Sequence, residues 1–207
     1  MKYLSIDIET SGLDVEKCSI TTIGIILEDT EKQLSFNDIP KLHLALIYNG
    51  IYFEPVAAEI NKDYIKTLSS IIKNNGIPDD DTDLIWVTSN EVINKIKDFL
   101  KKNNFKLSSR SCSFQSDYEE FYYKINVAGK NFMSFDKLFL DKIPYWKQCI
   151  EINRRVLDPA QFYINWTKDI ELPNLSTCKQ RAGLDSNVSH NAIEDAWDVI
   201  MLLRKQY

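Results

Sequence analysis

Glycine and proline are scarce in this 207-residue chain, six of each. Flexible linkers and disordered segments are rich in them, so neither is expected here. Histidine is scarcer still, with only His43 and His190. The four cysteines, Cys18, Cys112, Cys149 and Cys178, lie far apart and form no CxxC pair. A structural zinc site, which needs clustered Cys and His, is therefore not supported. Reduced thiols in a cytoplasmic compartment are the expectation. No apolar run approaches the length of a membrane span, and no basic stretch precedes an apolar one at the N-terminus, so neither a membrane partner nor a signal peptide is read. Cationic surplus is also missing: 25 Lys and Arg face 30 Asp and Glu, a net charge of −5. That excludes a protein held to nucleic acid by a broad basic surface. It leaves room for an enzyme that grips a few phosphates through metal ions and a local cluster of Lys and Arg.

The composition that remains, 44% hydrophobic and 27% charged, is that of an ordinary globular chain. Its length suits one domain over residues 1–207 with a substantial core. Alternation and β-branched content predict strands over 3–8, 19–28 and 42–48, joined as an antiparallel meander. Helical spacing follows over 56–73, closed by Asn74-Asn75-Gly76. The acidic run Asp79-Asp80-Asp81-Thr82-Asp83 reads as a solvated loop. A short strand over 84–88 and a helix over 90–102 capped by Ser89 come next. Residues 107–120 show neither period, and an insertion is read around 105–123. Beyond it come a strand over 122–128, a helix over 132–143, the end of a strand at 156–157, a short helix over 175–182 and a strong terminal helix over 191–205. Strands first and alternating helices later place the chain in the α/β class, with a mixed central sheet flanked by helices.

Chemistry concentrates first in Asp7-Ile8-Glu9-Thr10-Ser11-Gly12-Leu13. Residues i and i+2 of a strand share a face, so Asp7 and Glu9 project side by side from the end of the apolar strand. Two adjacent carboxylates repel and are costly to desolvate, and a divalent cation is the simplest partner for them. By itself the pair is weak, since about one Asp-x-Glu arises by chance in a chain this long.

The terminal helix adds to it. Ala192, Ala196, Val199 and Leu203 form an apolar stripe, with Asp195 at its edge, while Glu194 and Asp198 fall toward the polar face. Asp195 either accepts hydrogen bonds at the core margin or meets a metal. His190 stands five residues earlier. The two can share a site only if His190 precedes the first helical turn. His43, within a strand, reads as a structural histidine. A third cluster, Gly129-Lys130-Asn131-Phe132-Met133-Ser134-Phe135-Asp136, ends a strand, turns on glycine and puts Asp136 early in a helix. There Asp136 either complements the helix dipole or aims back at the strand ends.

Taken together, Asp7, Glu9, Asp136 and Asp195, with His190 ahead of the last, resemble the DEDDh family of 3′–5′ exonucleases, which includes proofreading subunits, oligoribonuclease and ribonuclease T. "DIETSGLD", "GKNFMSFDKLFL" and "HNAIEDAWD" resemble its three motifs in chain order, and "EPVAAEIN" and "LPNLSTCKQRAGL" resemble connecting segments. Lys130 departs from the family, many members of which carry His there.

The resemblance implies a ribonuclease H-like fold and two Mg²⁺ or Mn²⁺ ions. Asp7 would bridge them, Glu9 and Asp195 would complete the first, and Asp136 would support the second. His190 would be the general base. The backbone near Thr10, the Leu13 side chain and Asn131 would contact substrate. The implied partner is the 3′ end of single-stranded DNA or RNA, with nucleoside 5′-monophosphate as product. Some members dimerise, so a homodimer stays open. Arg154, Arg155, Lys179 and Arg181 are candidate phosphate contacts or plain surface charges, and Asp158 reads as an N-cap. The rival reading is a nucleic-acid-binding module of the same fold without catalysis.

Overall fold

The computed structural model describes residues 1–74, 76–77, 83–111 and 119–207. Cys112, most of the acidic run and the middle of the 105–123 segment lie outside the described residues. Strand β1 (Lys2–Thr10) is paired along its length with β2 (Ile20–Asp29), which is antiparallel to it. β3 (Lys41–Leu46) continues the meander against β2. Helices α1 (Pro55–Ile60) and α2 (Lys62–Asn74) then lead to β4 (Leu84–Val87), parallel to β3, and α3 (Ser89–Lys102). β5 (Leu107–Ser111) and β6 (Glu119–Ile125) form an antiparallel pair. β7 (Val127–Ala128) joins the main sheet parallel to β1. α4 (Asp136–Leu140), α5 (Trp146–Cys149), β8 (Ile150–Ile152), α6 (Ala160–Tyr163), α7 (Leu175–Arg181) and α8 (Ala192–Arg204) complete the order. The main sheet runs β4-β3-β2-β1-β7, and a second sheet runs β5-β6-β8.

Period-2 alternation in β1 sorts its side chains to two layers. Leu4, Ile6 and Ile8 enter a core built with Val92, Ile96 and Leu100 of α3 and with Phe132, Phe139 and Trp146. Tyr3 faces the opposite layer, against Ala196, Val199, Ile200 and Leu203 of α8. On that same face Ser5 Oγ donates to Ala196 O at 2.7 Å and pins α8 to β1. Asp7 and Glu9, two and four residues on, therefore point toward the α8 side.

Gly24 fixes how close α8 comes. It lies opposite Asp7 in the β1–β2 register and opposite His43 in the β2–β3 register. A Cβ at Gly24 would come within 2.3 Å of Ala192 O, the first residue of α8. Only glycine lets the helix start land on the sheet beside Asp7.

Several elements differ from the expectation. The helix read over 56–73 is broken at Asn61. The buried Asn61 side chain accepts from Thr21 Oγ1 at 2.8 Å and donates to Thr10 O at 3.2 Å and Ala57 O at 2.9 Å, tying the α1–α2 joint to the end of β1. Thr88, not Ser89, caps α3: its N–H donates to Glu91 Oε2 at 2.8 Å. The strand read over 122–128 is two strands in different sheets. The helix read over 132–143 shrinks to α4, because residues 130–135 form successive turns that begin at the left-handed Asn131 (φ 57°).

Candidate active site

The end of β1 supplies two acids, and the edge left free there receives a third. β7 stops at Ala128, opposite Ser5, and further on Ile8 N–H donates to Asp136 Oδ1 at 3.2 Å. Gly129 makes that approach feasible: a Cβ there would lie 2.8 Å from Ile6 O. Asp136 is buried, in the first turn of α4. Its carboxylate thus caps an open strand edge and turns toward the acidic pair.

From the other side come Asp195 and His190. Asn191 caps α8, its side chain accepting from Ile193 N–H at 3.2 Å, so His190 precedes the first turn. The spacing condition for sharing a site with Asp195 is met. His190 has φ 53°, a left-handed conformation that few non-glycine residues adopt. One ligand-type atom each from Glu9, His190 and Asp195 falls within 4.8 Å of the others. Ser189 Oγ donates to Asp195 Oδ1 at 3.4 Å.

Electrostatics tie Asp7 and Asp136 to the same cluster. Asp7 is held well above the usual carboxylate range by burial first, and then by the charges of Asp136, Asp195 and Glu9. Burial and the charge of Asp195 push Glu9 up to about 7. Burial likewise lifts Asp136 to about 7, with its own and the Ile8 amide hydrogen bonds opposing and Glu9 reinforcing. Asp195 rises to about 6, chiefly by burial and then Asp198, against the pull of His190 and Lys179. Four mutually repelling carboxylates in one recess are a poor fit to water and a good fit to small divalent cations with oxygen ligands. The donor set, all oxygen apart from one imidazole, suits Mg²⁺ or Mn²⁺.

The remaining candidates separate. Leu13 is 77% exposed and lines a cavity of about 670 Å³ with Glu9, Thr10, Tyr52, Val56, Ile60 and Phe135, among others. Thr10 is buried there, its Oγ1 donating to Gly12 O at 2.8 Å. Asn131 does not line this cavity. Its N–H donates to Asp158 Oδ2 at 3.0 Å and its Oδ1 accepts from Lys130 Nζ at 2.8 Å. Asp158 also accepts from Ala160 N–H at 2.9 Å, so its carboxylate ties the Asn131 turn to the start of α6, whose cap position is Pro159 and not Asp158 as read from sequence.

Two of the candidate phosphate cations are committed elsewhere. Lys179 is buried, bonded to Asp198 and to Asn187 O, and so props the chain that leads to His190. Arg181 forks onto Asp169. Asp198, assigned to the polar face by spacing, is thus an internal ion-pair partner. Arg154 and Arg155 are exposed. Burial lowers His43 to about 4, and its Nε2 is buried without a hydrogen-bond partner among the described residues.

Sequence reasoning did not single out Tyr52, Glu54 and Phe135. Glu54 and Phe135 signalled only by a place in motif-like segments, and Tyr52 not at all, since isolated aromatics or a lone Glu before Pro carry no period.

The strand order and the helices on both faces define the ribonuclease H-like fold of exonuclease domains. Among solved structures, the nuclease domain of 3′hExo, a DEDDh family member bound to rAMP, superposes with a TM-score of 0.59 at 13% identity, covering 99% of this chain and 90% of that one. Exonuclease I from Methylocaldum szegediense gives 0.59 at 15%, covering 98% of this chain and 39% of that one. The zinc-bound complex of E. coli exonuclease I with single-stranded DNA gives 0.58 at 13%, covering 98% and 40%. This chain thus spans about two fifths of either exonuclease I. No protein-family model matches the sequence, and no curated protein matches it.

Proposed function

We propose that the chain is a DEDDh-type 3′–5′ exonuclease. It would hydrolyse the terminal phosphodiester of single-stranded DNA or RNA and release a nucleoside 5′-monophosphate. The observation that carries this reading is the meeting of Glu9, His190 and Asp195 within 4.8 Å, beside an Asp7 whose charge is opposed by Asp136 and Asp195. A module that only binds nucleic acid gains nothing from crowded, repelling acids.

Asp7, Glu9, Asp136 and Asp195 would hold two divalent cations, Mg²⁺ or Mn²⁺. When bound, such ions supply an activated water and charge stabilisation at the leaving 3′ oxygen. His190, exposed beside Glu9 and Asp195, would accept the proton from that water. Its neighbour Ser189, bonded to Asp195, fixes the segment relative to the acid. Leu13, Tyr52, Val56 and Phe135 offer apolar walls on which a terminal base can stack. Thr10 and Asn131 remain substrate-contact candidates through the strand-end backbone and the turn near α4.

The same proposal treats residues 1–207 as one exonuclease domain, with an insertion around 105–123, in a cytoplasmic setting. Cys18, Cys149 and Cys178 are free thiols. Among the described residues no helix is long and apolar enough to cross a membrane.

The test is digestion of matched 5′-labelled single-stranded DNA and RNA with Mg²⁺ and then Mn²⁺. A ladder shortening from the 3′ end, stopped by chelator, is expected. Binding without cleavage under every ion would replace this reading with the non-catalytic module.

A further inference from the structure

One acid at the cavity belongs to no metal cluster. Glu54 stands just before α1, half-buried, and its side chain runs back toward the turn that follows the acidic pair. Its Oε2 accepts from Leu13 N–H at 3.0 Å, and Cys18 Sγ lies 3.7 Å from its Oε1. Its own N–H donates to Ser11 O at 2.8 Å. The contact is close enough to select the residue beneath it. A Cβ on Gly12 would lie 2.5 Å from Glu54 Cδ and 2.6 Å from Cys18 Sγ. The turn is held from its other side by Thr10 Oγ1 on Gly12 O and by Ser19 N–H on Ser11 Oγ. Leu13 itself is 77% exposed, so its side chain is little held by burial. Its position at the cavity rests on its backbone, and Glu54 is the group that takes its amide.

Resting on the exonuclease reading, we propose that Glu54 is a positioning residue for the 3′-terminal nucleotide: its carboxylate fixes the Ser11–Leu13 turn so that Leu13 stands as a preformed wall of the cavity beside Glu9. Glu54 touches neither the reacting phosphate nor the cation ligands. It acts through Leu13, by removing the freedom that substrate binding would otherwise have to freeze. A charged acceptor on a backbone N–H is stronger than a neutral one, which accounts for glutamate at this position.

The test compares Glu54→Ala, Glu54→Gln, Leu13→Ala and the Glu54→Ala/Leu13→Ala double variant on a 5′-labelled single-stranded oligonucleotide. Glu54→Ala, which removes the charge-assisted hydrogen bond, and Leu13→Ala, which removes the wall that bond positions, should each raise KM about tenfold, with kcat changed by less than about twofold. The double variant should be no worse than either single one, because both remove the same wall. Glu54→Gln keeps an acceptor and should raise KM only about threefold. A fall in kcat at constant KM would put Glu54 in the chemistry, and additive effects would sever it from Leu13; either overturns the proposal. Amide exchange at Leu13 supplies an arm that needs no activity. Exchange should be slow in the wild type and in Glu54→Gln and fast in Glu54→Ala, and equal rates in all three would overturn the assignment. If Glu54→Ala fails to fold, the Glu54→Gln shift in KM decides. A wild type that degrades no oligonucleotide would defeat the exonuclease reading and leave the exchange measurement to judge Glu54.

Discussion

His190 sits in a left-handed backbone conformation just ahead of the cap of α8, and that single φ angle aims its ring at Glu9 and Asp195. Replacing it by Ala should lower hydrolysis by about 10²–10⁴-fold, the range of a lost general base. Mn²⁺ binding measured by calorimetry should persist, since the carboxylates stay in place; lost binding would make His190 a ligand instead. Asp195→Asn should have two effects. It should abolish hydrolysis, and it should raise the melting temperature of the metal-free protein at pH 8 by relieving repulsion with Glu9.

At this scale the sequence was readable where a period exists. Asp7 and Glu9 follow from strand alternation, and Asp195 from its place on a helical stripe. Glu54 was not readable, because nothing in a lone acid before proline says which distant amide it will reach. Lys179, read as a phosphate contact or a surface charge, is buried, and that was not readable for a similar reason: its partner Asp198 lies on another helix, and only packing shows the pair.

Among the elements, α8 does the assembling. It rests on β1 through Ser5 and reaches the sheet across Gly24, so its N-terminal end arrives opposite Asp7. Gly24→Ala should force helix and sheet apart. A destabilisation of about 2–3 kcal/mol, as for overpacked cores, is expected in denaturant melts, with metal affinity weakened in parallel. An unchanged midpoint would mean that the helix start is not seated as described.

The long elements were legible because α3 and α8 bury one face each against a continuous core, while β1 and β2 are buried on both faces and read as apolar runs. Residues 132–143 misled because turns with buried Phe132 mimic helical spacing. Residues 107–120 gave no period because β5 and the start of β6 pair in a small second sheet that leaves Leu107 exposed, so no buried face imposes alternation there.

For the molecule as a whole, the gathered acids leave a signature in stability. Glu9 and Asp136 are raised to about 7 and Asp195 to about 6 in the folded state. Unfolded carboxylates titrate near pH 4. Between those values the native state holds more protons than the unfolded one, so stability declines as pH rises from about 4 to about 7. Metal-free protein should therefore melt lower at pH 8 than at pH 5, and saturating Mg²⁺ should recover most of the difference. Scanning calorimetry at the two pH values, with and without Mg²⁺, checks this, and a flat metal-free profile would separate the acids from one another.

The acids and the base are mounted on very different supports. Asp7 and Glu9 ride the strand hydrogen-bonded between β2 and β7, whereas His190 hangs from irregular chain tethered by a few side-chain bonds through Ser176, Lys179 and Ser189. Gentle warming should consequently silence turnover before it releases the ions: the proton acceptor wanders first, while its anchored companions keep their grip until the entire fold gives way.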